Sequence, residues 1–158
     1  MLDFGSLPKM QLPELVALED DPFYRILFEA RLGEKKRPLK PSEIVKIYKK
    51  LCEQKKLRDL VLFTMGIDIM YRSSDILTTK TKFVQDSRGE IIKYVSSQQQ
   101  KTKNAASSTL MEGTRCLLKA WIEQNAFQPD DYLFPGRCKE THLSDRRHRE
   151  IIKEWVSL

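Results

Sequence analysis

Apolar residues return at helical spacing through much of the chain, in blocks separated by Pro and Gly. Pro22 suits a first helical turn, and Phe23, Ile26, Leu27 and Ala30 share a face that Gly33 would end. Pro41 opens a second block in which Ile44, Ile47, Tyr48 and Leu51 recur, while Lys46, Lys49, Lys50 and Glu53 occupy the other face. The third block, from about Leu57 to Met70, is apolar on more than one side, which predicts a central helix. A short helical turn is expected at Ser73–Leu77. A further helix is expected from about Met111 to Gln124, with Thr114, Leu117, Leu118, Trp121 and Ile122 on one face. Ser144 can cap a last helix faced by His148, Ile151, Ile152 and Trp155.

Between the third block and Met111 the period shortens. Lys82–Gln85 leads into Asp86-Ser87-Arg88-Gly89, a turn signal, and Ile91–Val95 is rich in β-formers. Ser107–Leu110 is a candidate third strand, preceded by the polar, turn-prone segment Lys101–Asn104. The expected fold class is therefore α+β: a mainly helical domain with a small three-stranded antiparallel sheet. Residues 1–21, with Gly5, Pro8 and Pro13, read as an extended arm, and Lys35-Lys36-Arg37-Pro38 reads as a basic linker. The chain divides into residues 1–38, an arm with a short helix, and a main domain over 39–158. Pro129-Asp130-Asp131 and Phe134-Pro135-Gly136 mark loops.

Composition narrows the function classes. The 158 residues suffice for one domain with a real core, and 41% apolar with 32% charged residues suits a globular protein. No apolar run is long enough to cross a membrane, and no basic-then-apolar leader opens the chain. Cys52, Cys116 and Cys138 show no metal-ligand spacing, so free thiols, a cytoplasmic location and no metal or cofactor are expected. The net charge is +6, unevenly spread. Asp3, Glu14, Glu19, Asp20, Asp21 and Glu29 make the first thirty residues acidic, and the basic excess begins at Lys35. A localised basic field suits a nucleic-acid partner, although a solvated basic surface has the same composition.

One charge stands out. Arg72 follows the apolar segment Leu60–Tyr71, with Asp75 three residues on. Such a cation is either paired in a structural ion pair or aimed at an anion. Lys101 and Lys103, in the run Gln98–Asn104, offer further cations at the expected hairpin, or are simply solvated there. The Lys46, Lys49, Lys50 face is likewise either solvated or tracks phosphates.

In order and spacing, four pieces of the chain resemble the tyrosine recombinase (phage integrase) family over roughly residues 39–156. Leu39-Lys40-Pro41-Ser42-Glu43-Ile44 is similar to the opening of that family's catalytic domain. Tyr71-Arg72-Ser73-Ser74-Asp75-Ile76-Leu77 resembles its first arginine box, with Asp75 where Glu is commoner. Gln99-Gln100-Lys101-Thr102-Lys103 is similar to its lysine hairpin, and Asp131–Arg137 to its Leu-Phe-Pro-Ser loop.

The resemblance implies a double-stranded DNA partner and tyrosine attack on a phosphodiester through a 3′-phosphotyrosyl link. By resemblance Arg72 would meet the non-bridging oxygens, Asp75 would support it, and Lys101 would protonate the leaving 5′-oxygen. Lys46, Lys49, Lys50, Lys80 and Lys103 are the candidate DNA contacts. The family's second box, His-x-x-Arg, is missing: Asp145 lies three residues after His142 and Ile151 three after His148. None of the five tyrosines matches the nucleophile position. The expectation is a C-terminally incomplete catalytic domain, inactive alone. The alternative is a non-catalytic DNA-binding or regulatory remnant using its basic face. The apolar face at Ile151, Ile152, Trp155 and Val156 is expected to be covered by Phe23, Ile26 and Leu27, or by self-association into a homo-oligomer.

Overall fold

The computed structural model describes residues 39–98, 105–138 and 140–157. The expected helix at 22–32 and the segment holding Lys101 and Lys103 lie outside them. Helix α1 spans Pro41–Glu53, α2 Leu57–Ile69 and the short α3 Ser73–Leu77; strands β1, Tyr94–Gln98, and β2, Ala105–Thr109, follow; then come α4, Glu112–Asn125, and α5, Asp145–Val156.

Local chemistry accounts for the helix ends. Pro41 starts α1, and the Glu43 carboxylate accepts the Lys40 backbone N–H at 2.8 Å. Ser144 Oγ accepts the Arg147 N–H at 3.2 Å and caps α5. Helix α2 ends on Met70, in the left-handed region at φ 50°, with its N–H bonded to the Gly66 carbonyl.

Helix α2 is the centre of the domain, as its two-sided apolar pattern implies. Leu60, Val61, Leu62, Phe63 and Met65 are all buried, and the helix packs against α1, α4 and β2. Each such side chain contributes roughly 1.5–3 kcal/mol by leaving water. Leu117, Leu118 and Ile122 of α4 and Ile47 and Leu51 of α1 close the core from two sides. Helix α5 adds Ile151 and Trp155, and the Trp155 ring meets Phe63 edge-on at 5.5 Å. Of the α5 face expected to need a cover, Ile151 and Trp155 are buried, Ile152 is half-buried and Val156 is exposed; the expected covering residues Phe23, Ile26 and Leu27 lie outside the described residues.

The sheet differs from expectation in its strand count. Among the described residues it has two antiparallel strands, β1 and β2, with Tyr94 opposite Thr109 and Gln98 opposite Ala105. Lys82–Gln85 is not a third strand: Thr81–Phe83 forms a 3-10 turn. The Thr81 carbonyl accepts the Val84 and Gln85 N–H groups, and the Thr81 N–H is held by the Asp131 carbonyl. Those bonds use the groups a ladder would need and leave one isolated bridge between Gln85 and Ile91.

Candidate phosphate site and nucleic-acid interface

Arg72 sits at the joint between α2 and α3. Its backbone is extended, φ −63° and ψ 147°, and its carbonyl accepts the Asp75 and Ile76 N–H groups that start α3. The side chain is exposed. Among the described residues no carboxylate pairs with it, Asp75 included. An exposed arginine held at its backbone, with no carboxylate on its guanidinium among the described residues, is available to a ligand oxyanion.

Three contacts fix this joint. The Tyr71 hydroxyl donates to the Val95 carbonyl of β1 at 3.0 Å. The Ser108 hydroxyl of β2 donates to the Ile69 carbonyl at 3.1 Å. The Asp68 carboxylate accepts the Met111 N–H at the start of α4 at 2.8 Å. Arg72 is therefore tied to the base of the hairpin whose connection carries Lys101 and Lys103.

Asp68 has its own electrostatic logic. A carboxylate in the last turn of a helix opposes that helix's dipole, but here it also faces the N-terminus of α4. Burial pushes its pKa up, while bonds from Thr114 and the Met111 amide act in the opposite direction. Neither Tyr71 nor Asp68 was singled out as functional from the sequence. The available signal was an acid at the C-terminal end of an apolar helix, which needs a partner.

Asp75 lies in the first turn of α3. Its Oδ2 is buried and has no hydrogen-bond partner among the described residues. Its carbonyl accepts the Thr79 hydroxyl at 2.9 Å. The side chain faces a cavity of about 550 Å³ shared with Tyr71, Lys80, Lys82 and Tyr132. Lys80 Nζ lies 5.5 Å from the Tyr132 ring centroid and 3.8 Å from Asp130, and Lys82 is 2.6 Å from the same carboxylate. Lys80 thus borders the cavity next to the Arg72 joint.

Lys46, Lys49 and Lys50 lie apart from this cavity, on α1; Lys46 and Lys49 are exposed and Lys50 is half-buried. His148 is buried in α5, and burial lowers its pKa against an opposing effect of Asp145. Cys52, Cys116 and Cys138 are free thiols. Among the described residues no cluster of three or more His, Cys, Asp or Glu could hold a metal ion, and no helix is long and apolar enough to cross a membrane.

A comparison against family models spans all of the described elements. Residues 37–158 match the model described as the phage integrase family. The chain belongs to that family. The mainly helical α+β architecture with a small antiparallel sheet is consistent with an integrase domain. The searches of curated proteins and of solved structures returned no match.

Proposed function

We propose that residues 39–158 are the arginine-box part of a tyrosine recombinase catalytic domain and bind double-stranded DNA, with Arg72 directed at the scissile phosphate. The observation that carries this reading is an exposed Arg72 without a carboxylate partner among the described residues, on a joint anchored to the hairpin base. In phosphodiester transfer, negative charge grows on the non-bridging oxygens, and a pre-placed guanidinium stabilises it more than it stabilises the ground state. Lys101, on the hairpin connection, is the proposed general acid for the leaving 5′-oxygen. Asp75 supports the joint through α3 rather than by a direct ion pair. Lys80 and Lys103 hold flanking phosphates, and Lys46, Lys49 and Lys50 extend the basic surface.

Strand cleavage also needs a second arginine and a nucleophilic tyrosine in the family's arrangement. The 158 residues contain no His-x-x-Arg. We therefore propose that this chain alone binds DNA without cutting it, at work inside the cell and with no cofactor. The lysines of α1, with Lys46 and Lys49 exposed and apart from the Arg72 joint, support a second reading, a non-catalytic DNA-binding module using that face. Incubation with nicked suicide duplexes tests the proposal. Salt-sensitive binding without a covalent adduct is expected; a tyrosine-linked adduct would overturn the claim of inactivity, and no binding at low salt would overturn the DNA reading.

A further inference from the structure

A groove of about 360 Å³ runs between α1 and α5. Its floor is apolar: Leu39, Ile47, Trp155 and Val156 line it, and Val156 is 58% exposed. Its rim is cationic. Lys46, Lys49 and Lys50 stand there against Glu43 and Glu53, and the Glu43 carboxylate already accepts the Lys40 N–H. An apolar floor under a rim of three lysines and two glutamates fits an acidic segment with an apolar stripe.

The same chain carries one. Residues 1–30 hold six acidic residues (Asp3, Glu14, Glu19, Asp20, Asp21, Glu29) against Lys9 and Arg25. Phe23, Ile26 and Leu27 supply large apolar side chains inside that acidic stretch. The attachment point is favourable, because Leu39, the first described residue, itself lines the groove. From Leu27 to Leu39 an extended chain reaches about 40 Å, at roughly 3.3–3.6 Å per residue. Helix α1 is about 20 Å long at 1.5 Å per residue, so the segment can reach the whole groove.

We propose that segment 19–29 of this chain seats in the α1–α5 groove of its own molecule. Phe23, Ile26 and Leu27 cover the exposed Val156 at the mouth of the groove, over the buried Ile47 and Trp155, and the carboxylates face Lys46, Lys49 and Lys50. A consequence, which rests on the DNA-binding reading above, is that the segment competes with DNA for these lysines.

Zero-length carbodiimide cross-linking of the full chain tests the docking, using an equal mixture of ¹⁴N- and ¹⁵N-labelled protein. Cross-links from Glu19, Asp20, Asp21 or Glu29 to Lys46, Lys49 or Lys50 are expected within one label. Their yield should fall several-fold in the Ile26→Asp/Leu27→Asp variant, and likewise in Val156→Asp, each checked for folding by circular dichroism. Mixed-label cross-links would assign the groove to a second copy and overturn the proposal. So would no cross-link to these lysines, or an unchanged yield in both variants. In parallel, Ile26→Asp/Leu27→Asp should bind DNA several-fold more tightly than the unaltered chain, and unchanged affinity would overturn the competition. If no form binds DNA, the DNA reading fails while the cross-links still decide the docking.

Discussion

The Tyr71 hydroxyl donates to the Val95 carbonyl at 3.0 Å, across 24 residues of sequence. This bond links the residue before Arg72 to the first strand of the hairpin. Tyr71→Phe deletes the donor and leaves a partly buried carbonyl without it. A loss of about 1 kcal/mol in urea unfolding is expected. In the same variant, hydrogen exchange should quicken in the β1–β2 ladder more than in α4.

Asp68 should make stability depend on pH in the unusual direction for a carboxylate. Burial raises its pKa above that of the unfolded chain. Its contribution is fully present below the ordinary carboxylate value of about 3.9 and is lost as pH rises through the raised folded value. Asp68→Asn retains an acceptor for the Met111 N–H and cannot ionise. Its urea midpoint relative to the unaltered protein should therefore improve on going from about pH 4 to neutrality.

His148 works in the opposite sense. Burial lowers its pKa, so its contribution is present above the unfolded value of about 6.5 and is lost as pH falls through the folded value. His148→Leu should flatten the fall in melting temperature below about pH 6.5 relative to the unaltered chain.

Trp155 packs on Phe63, yet its indole Nε1 is buried with no hydrogen-bond partner among the described residues. Trp155→Ala should cost about 3–5 kcal/mol through the cavity it leaves. Trp155→Phe keeps a ring and removes the unsatisfied N–H, so it should cost clearly less. Denaturant titration of both variants checks the order.

The helical frame was legible because local and tertiary demands agree. Pro41, the two-sided apolar pattern of residues 57–69 and Ser144 each place an element where the structure has it. Lys82–Gln85 was misread because Phe83 and Val84 favour a strand locally, whereas the Thr81–Asp131 contact, fifty residues apart, folds a turn there. At the candidate site, the sequence drew attention to Arg72 as a cation at the end of an apolar segment. What holds it was not legible, since Tyr71–Val95, Ser108–Ile69 and Asp68–Met111 are pairings between distant positions that no local pattern encodes. The Phe63–Trp155 contact was not legible for the same reason: it joins α2 to α5 across the whole length of the domain.

The role of Arg72 is tested most directly by the salt dependence of duplex-DNA affinity for the unaltered chain and Arg72→Ala. A guanidinium on a phosphate releases counterions, so its loss should weaken binding and reduce the slope of log K against log salt by about 1. Asp75→Asn should leave that slope unchanged. If Arg72→Ala kept both the affinity and the slope of the unaltered protein, Arg72 would not contact a phosphate, and the proposed site would be wrong.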